Sequence, residues 1–237
     1  MDGGLRSARP PGGAGAAGPR ARGGPAARED HRGVRRLLSA EPQPRDGALL
    51  LAATLEALVN TIEARDPHLR GHSERVAELS ASVAAHLGCA GAQIEAVRAA
   101  GRLHDIGKIA VRDDVLHKAG PLTDEEYEHV KRHVVVGSRI LAPLAHLREA
   151  AGYVRSHHER WDGFGYPDRL AGEAIPLGAR ILGAVETYDA LTTPRTYQER
   201  MAPAEALERM RDLVGTAIDP AVHAALAAVV SQRRNDG

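Results

Sequence analysis

The sequence predicts an all-α fold. Apolar residues recur at spacings of three and four through most of the chain after residue 45, which is the period of an amphipathic helix. No segment alternates apolar and polar residues for long, so strands are not expected. Glycines and prolines separate the periodic segments, as is typical of the turns between helices. We therefore expect one helical domain.

That domain is predicted over residues 46–237. Residues 1–45 consist mostly of Gly, Ala, Pro and Arg, and nine arginines against four acidic residues give them a net charge of +5. Such a segment buries too little apolar surface to offset the entropy of ordering, so we expect a disordered tail and linker. Because the whole chain has a formal charge of zero, the domain carries −5.

The first three helices are predicted between residues 46 and 107. Asp46 is a candidate N-cap for the first, whose apolar stripe runs over residues 49–62. Gly88 follows the second stripe and Gly107 follows the third, so each glycine is expected to end a helix.

Later helices begin at recognisable capping residues. Thr123 and Glu126 form a capping box. The helix that they begin is expected to run through His133, with Ile140 and Leu141 continuing its inward face. A turn-rich loop is predicted over 161–168. The remaining helices are expected to begin at Ala145, Leu177, Pro203 and Pro220.

Composition excludes several classes of protein. Cys89 is the only cysteine, so neither an intrachain disulfide nor a cysteine-based zinc site is possible. The most apolar run, 48–59, contains Thr54 and Glu56 and is too short to span a membrane. A slightly acidic domain is not the footprint of a nucleic-acid groove. We expect a cytoplasmic protein without a membrane span.

His104 and Asp105 form the first candidate functional site. Neighbours on a helix point about 100° apart, so both can face one ion only at a helix end. The carboxylate has two oxygens and could bridge two metal ions while His104 binds one of them. His157 and His158 repeat the pattern before the loop. A pair of adjacent ligands can be a surface or core feature, but two such pairs are harder to explain by chance.

Imidazole and carboxylate donors without thiolate suit iron, manganese or zinc. Two such ions about 3.5–4 Å apart generate a hydroxide nucleophile and stabilise both ends of a displacement at phosphorus. The residues alone therefore indicate hydrolysis of a phosphate ester.

These motifs occur in an order that resembles the HD-GYP family, a branch of the HD phosphohydrolase superfamily that degrades cyclic di-GMP in bacteria. The resemblance covers residues 46–237 and implies an HD-type helical bundle with a metal centre in its core. The chain would be a stand-alone form with a disordered tail. The matching stretches are 65–73, 103–109, 118–123, 131–133 with Gly137, 157–167, 175–182, 188–191, 195–197 and 215–220.

The resemblance also implies two divalent ions, iron or manganese, with Asp105 as the bridge. Glu186 occupies a position where the family has Asp, and its extra methylene is expected to change the ion spacing or the metal. His68 is either a ligand to a third ion or a side chain of the substrate pocket. Asp66 and Pro67 favour a helix on which His68 and His72 share a face. The implied ligands are His72, His104, Asp105, His133, His157, His158 and Glu186.

The implied catalytic residues are Asp105 and Lys108, and Lys108 would contact the scissile phosphate. Gln198 replaces a lysine common in the family, so one phosphate contact is expected to be missing. Residues implied to surround the dinucleotide are Asp66, Gly165, Tyr166, Pro167 and Arg195, besides Lys108.

Three functions follow as hypotheses. The leading one is a metal-dependent phosphodiesterase that converts cyclic di-GMP to pGpG, and further hydrolysis to GMP is left open. The second is hydrolysis of another cyclic dinucleotide or nucleotide. The third is a binding or interaction module without turnover, which the departures at Glu186 and Gln198 motivate. Histidine ligates only when neutral, so activity is expected to fall below about pH 6.

The resemblance also implies partners and leaves regulation open. The Gly-Tyr-Pro loop could dock a diguanylate cyclase (GGDEF) domain. Regulation could come from the arginine-rich tail, from a homodimer formed through the 49–62 helix, or from expression.

Overall fold

The computed structural model describes residues 44–65, 71–194 and 200–235. Within these ranges the chain forms ten α-helices, and four short 3-10 helices lie between them at 106–110, 145–147, 172–174 and 211–213. The only extended pairing there is a single bridge between Val214 and Ile218. The predicted all-α class is confirmed. In chain order α1 to α10 are Pro44–Arg65, His72–His86, Gly91–Leu103, Asp113–Leu116, Asp124–Lys131, His133–Leu141, Arg148–Ser156, Leu177–Thr192, Pro203–Met210 and Pro220–Asn235.

The core lies where α2, α3, α7, α8 and α10 meet. α2 packs most extensively on α3, and α8 contacts α2, α3, α7 and α10. Each helix contributes its predicted apolar stripe, and burying one large aliphatic side chain stabilises the fold by about 1.5–3 kcal/mol. Fully buried examples are Val76, Val97, Val154, Ile181 and Leu226.

The helix predicted to run from residue 124 through 141 is in fact two. α5 ends at Lys131 and α6 begins at His133, with Arg132 between them. The core-facing side of α6 is formed by Val134, Gly137 and Leu141. Ile140 lies beside that face and is 37% exposed, so the prediction that it faces inward is wrong.

Two further helix ends differ from the prediction. α3 ends at Leu103 instead of Gly107, and a 3-10 helix follows at 106–110. Gly107 is required for packing, because a Cβ there would lie 1.9 Å from the backbone oxygen of His133. The segment from Ala145 begins as a 3-10 helix, and α7 ends at Ser156, just before the two adjacent histidines.

The tail predicted over 1–45 lies outside the described residues apart from its last two, which belong to α1. The domain boundary at residue 46 therefore stays a prediction. From α1 to α10, no helix within the described ranges combines the length and apolar character needed to cross a bilayer.

Candidate metal centre

The predicted ligands converge from five parts of the chain into two groups. Within each group, one nitrogen or oxygen atom of every residue lies within 4.8 Å of the others. Most of these side chains are buried, and the segments that carry them are remote in sequence. One group is His72, His104 and Glu186, and the other is His133, His157 and His158.

Asp105 lies between the two groups. Its Oδ2 is 3.5 Å from His104 Nε2, and its Oδ1 is 3.6 Å from His133 Nε2. One carboxylate oxygen therefore faces each group. This is the arrangement that a bridging carboxylate requires.

Three of the histidines are oriented by their own helix ends. Nδ1 of His104, His133 and His157 donates to the carbonyl three residues earlier, at 2.7–2.8 Å. Each carbonyl lies in the last turn of a helix, where backbone acceptors lack intrahelical donors. Because Nδ1 carries the proton, Nε2 keeps its lone pair and points into the centre.

His72 is oriented by a carboxylate. Its Nδ1 donates to Asp189 Oδ2 at 2.7 Å, and Arg75 donates to both oxygens of the same carboxylate at 2.7 and 3.0 Å. His72 Nε2 and His104 Nε2 are 3.3 Å apart. Since both rings are protonated at Nδ1, the two lone pairs face each other, and a cation at that point would relieve the repulsion.

The donor set fits divalent metal ions. Among the described residues, Asp105 Oδ1, His133 Nε2 and His157 Nε2 are buried without a hydrogen-bond partner. A buried polar atom left unpaired costs about 1–3 kcal/mol, and metal ligation would satisfy all three. Mixed nitrogen and oxygen donors without thiolate suit iron, manganese or zinc. The chain therefore has two candidate histidine-rich metal sites that share a carboxylate.

The protonation states agree with ligation at neutral pH. Burial alone would raise the pKa of Asp105, but Lys108, His104 and His133 hold it well below its usual value. Burial lowers the pKa of His133 to about 4 and, with its neighbouring imidazoles, lowers the pKa of His157 far below 6.5. The carboxylate is then ionised and these imidazoles are neutral.

Glu186 and His158 form the more open side of the centre. Glu186 Oε2 is 4.0 Å from His158 Nδ1, and both side chains are about one quarter exposed. Burial opposes ionisation of Glu186, whereas His158 and His104 lower its pKa. Both residues line a cavity of about 430 Å³ that extends along α8.

Lys108 and the Gly-Tyr-Pro loop border the centre. Lys108 Nζ is 2.7 Å from Asp105 Oδ2. The Tyr166 ring lies 5.0 Å from the His158 ring, and its backbone N–H donates to His158 O at 3.2 Å. Gly165 is required there, because a Cβ would lie 2.3 Å from Arg160 N. Pro167 follows Tyr166 in the chain. The Tyr166 contacts with His158 therefore place the predicted loop beside the predicted ligands.

Four predicted residues cannot be placed. Asp66, His68, Arg195 and Gln198 lie outside the described residues. The helix expected to carry both His68 and His72 begins only at His72. The preceding Gly71 has a φ of +68°, which no residue inside a right-handed helix adopts, so the prediction of one continuous helix is wrong.

Asp189 and Arg75 are functional candidates that the sequence did not reveal. Asp189 occurs in the 188–191 motif, but no role was predicted for it. A signal existed, since Asp189 lies three residues after Glu186 on one helix and the two share a face. Burial opposes ionisation of Asp189, but hydrogen bonds from His72 and Arg75 lower its pKa to about 2.

Comparison with known proteins agrees with this geometry. The chain is 39% identical over 169 residues to the cyclic di-GMP phosphodiesterase response regulator RpfG of Xanthomonas campestris pv. campestris, covering 70% of this chain and 45% of that protein. It is 37% identical over 178 residues to 3'3'-cGAMP-specific phosphodiesterase 3 of Vibrio cholerae, covering 73% of this chain and 39% of that protein. The chain thus spans less than half the length of either relative.

Comparison with solved structures also finds a similar protein. A crystal structure of a cyclic GMP-AMP-specific phosphodiesterase of V. cholerae superposes with a TM-score of 0.50 at 30% identity, covering 86% of this chain and 47% of the other. The family model described as HD domain matches residues 56–222, a range that contains every candidate ligand. From its helical fold, its His-Asp centre and this match, the chain belongs to the HD domain family.

Proposed function

We propose that this chain is a metal-dependent phosphodiesterase that opens cyclic di-GMP to linear pGpG. The observation that carries the proposal is Asp105, with one oxygen toward each histidine group and Lys108 beside it. Hydrolysis of a phosphodiester needs a nucleophile and stabilisation of negative charge at phosphorus, and this arrangement provides a place for both.

The chain's own residues have separable roles in this proposal. The seven described ligands would hold two divalent ions, iron or manganese, which when bound supply an activated water and polarise the phosphate. Lys108 places a positive charge where the phosphoryl oxygens become more negative, which stabilises the transition state. The Tyr166 ring lies beside His158, and contacts of Pro167, Asp66 and Arg195 with the dinucleotide are proposed on resemblance alone.

A second substrate is favoured by a specific observation. Some relatives of similar identity are named for cyclic di-GMP and others for 3'3'-cGAMP. Both substrates contain the same phosphodiester ring and differ in one base. The centre described above acts on the phosphodiester and does not discriminate between them, so 3'3'-cGAMP is the alternative substrate.

The test is a competition between the two substrates. Protein purified anaerobically and loaded with iron or manganese is incubated with both at neutral pH in a reducing buffer, and the products are separated by chromatography. We expect linear pGpG as the main early product, followed by any GMP. Faster loss of 3'3'-cGAMP would select the alternative substrate. Tight binding without product, and with less than one metal ion per chain, would instead identify a binding module.

We keep docking of a diguanylate cyclase domain on the 161–168 loop as a proposal. Its support is Phe164, which is 85% exposed although it is the chain's only phenylalanine. Exposed aromatic side chains are enriched at protein interfaces. Phe164→Ser is expected to weaken capture of a purified GGDEF domain while leaving phosphodiesterase activity unchanged. The homodimer expected through α1 likewise stays a prediction.

A further inference from the structure

Arg65, the last residue of α1, contacts the turn that carries Lys108. Its Nη1 donates to the backbone oxygens of Lys108 and Ile109 at 2.9 and 3.0 Å. Its Nη2 donates to the backbone oxygen of Val111. The guanidinium also contacts Asp113 Oδ1, from Nε at 3.0 Å and from Nη2 at 2.7 Å. One side chain therefore binds three carbonyls of the segment that follows Asp105.

Few apolar contacts hold the outer part of this turn. Ile109 is 50% exposed, and Ala110 next to it is exposed as well. The inner part is fixed differently, because Gly107 packs directly on the backbone of His133. Ile106 and Val111, at the two ends of the turn, are also buried. Between these anchors, the backbone oxygens of Lys108 and Ile109 accept hydrogen bonds from Arg65.

The ion pair with Asp113 does not explain the arrangement. The Asp113 side chain is 75% exposed, and ion pairs between exposed side chains contribute little to stability. A guanidinium offers five N–H donors in one plane, so it can bind several carbonyls at fixed angles, which a lysine ammonium cannot reproduce. The hydrogen bonds to the three carbonyls are therefore the contacts that require arginine instead of lysine at this position.

We propose that Arg65 is a positioning residue for the phosphodiesterase reaction, fixing the 106–111 turn so that Lys108 Nζ stands beside Asp105. The proposal rests on the proposed function. It assigns to Arg65 no contact with substrate or metal. Arg65 acts through Lys108, so its effect on kcat should depend on the presence of the Lys108 side chain. If Arg65 only anchored α1, its effect would not depend on Lys108.

The first test is a double-mutant cycle on kcat. Arg65→Ala is expected to lower kcat at least tenfold with little change in KM, because Lys108 acts mainly on the transition state. In a Lys108→Ala background the same substitution is expected to cost less than twofold, since the group it positions is gone. Independent, multiplicative effects on kcat would overturn the proposal. A loss of kcat that is proportional to a loss of bound metal would also overturn the proposal.

Three variants separate the contacts of Arg65. Arg65→Lys keeps the charge but not the planar donors, so it is expected to resemble Arg65→Ala. Asp113→Asn removes the ion pair and keeps the carbonyl contacts, so wild-type kcat is expected. Arg112→Ala is the matched control, because its guanidinium contacts only the exposed Asp114 among the described residues. A large loss of kcat in Asp113→Asn with full activity in Arg65→Lys would contradict the assignment.

Amide hydrogen exchange tests the proposal without any activity. In metal-loaded Arg65→Ala, the amides of residues 106–111 are expected to exchange at least tenfold faster, with α8 unchanged. If their protection equals that of the wild type, Arg65 does not position the turn. If wild-type protein has no phosphodiesterase activity but the turn loosens as expected, the proposed function fails while the positioning role of Arg65 on the turn stands.

Discussion

One hydrogen bond at Nδ1 fixes the tautomer of each central histidine. His104, His133 and His157 donate to backbone carbonyls, and His72 donates to Asp189. Each Nδ1–H is hydrogen-bonded, so none of these buried N–H groups is left unpaired. All four rings present the lone pair of Nε2 to the centre. A site with this many converging lone pairs is organised before any cation arrives.

Asp189 offers a residue-scale test of this organisation. Asp189→Asn is expected to lower metal affinity by about 10–100-fold, because the carboxylate no longer orients His72 or raises its basicity. Affinity is measured at neutral pH by competition with a chelator. Asp168→Asn is the matched control, since Asp168 also accepts two arginine hydrogen bonds, from Arg155, but on the surface. Equal losses in both variants would show that Asp189 has no special role.

Burial of His133 predicts a pH dependence of stability in the metal-free protein. The unfolded chain takes up a proton near pH 6.5, whereas the folded chain does so only near pH 4. Acidification between these values therefore lowers the free energy of unfolding, by roughly 3 kcal/mol from this group. The expected loss of activity below about pH 6 assumed an unperturbed imidazole, whereas burial lowers the pKa of His133 in the metal-free protein to about 4.

Urea denaturation in the presence of chelator measures this effect. The free energy of unfolding of the wild type minus that of His133→Gln is expected to shrink as the pH falls from 6.5 to 4. The stabilisation from Asp189 is lost only at lower pH, between about 3.8 and 2, so it does not enter this window. A difference that stays constant would mean that His133 titrates normally.

At this scale the sequence identified the candidate ligands better than the residues that orient them. Adjacent candidate pairs and the resemblance were enough to select the seven residues that the structure brings together, and their role as ligands stays a prediction. The helix face shared with Glu186 marked Asp189 as a candidate, but its role depends on a contact with His72, 117 positions away, which the local pattern does not specify. The Arg65 contacts with the turn, more than 40 positions away, were missed for the same reason.

At the scale of elements, most of the centre is built at helix ends, and Glu186, inside α8, is the exception. α3 and α7 end directly before His104 and His157, and one residue separates the end of α5 from His133. Backbone carbonyls in the last turns of these helices accept hydrogen bonds from the imidazoles and orient them. The sequence predicted helix ends for the two adjacent pairs. It did not predict the end of α5, because residues 124–141 keep a helical pattern across Arg132. The chain breaks there so that His133 can turn back onto Val130.

Gly107 provides a test of how these elements fit together. Gly107→Ala would place a Cβ 1.9 Å from His133 O, so the turn and α6 must separate. We expect the free energy of unfolding to fall by about 3 kcal/mol or more, as in severe overpacking. Metal content is expected to fall as well, because His133 begins α6.

Gly152→Ala is the matched control. Gly152 lies inside α7, and nothing approaches within 4 Å of an added Cβ. Alanine there is expected to stabilise the helix by about 0.5–1 kcal/mol. Urea denaturation measures the free energy of unfolding of both variants. A similar change in Gly107→Ala and Gly152→Ala would contradict the close contact at Gly107.

At the scale of the molecule, the metal centre joins helices that are distant in sequence. α2, α3, α6, α7 and α8 all supply or adjoin ligands, and the same helices form most of the core. Metal binding is therefore expected to stabilise the packed arrangement of the whole bundle, since ligation favours only the folded state. The all-α class and this convergence could be predicted from helical periodicity and motif order, whereas the partition into two groups around Asp105 required the packing.

Asp105 is proposed to bridge two divalent ions, and the metal content of anaerobically purified protein is the decisive test of that role. Elemental analysis is expected to give about two ions of iron or manganese per chain, and less than one in Asp105→Asn. A value near three would identify a further ligand set and favour His68. Less than one ion per chain in the wild type, or an unchanged content in Asp105→Asn, would rule out a bridging role for Asp105.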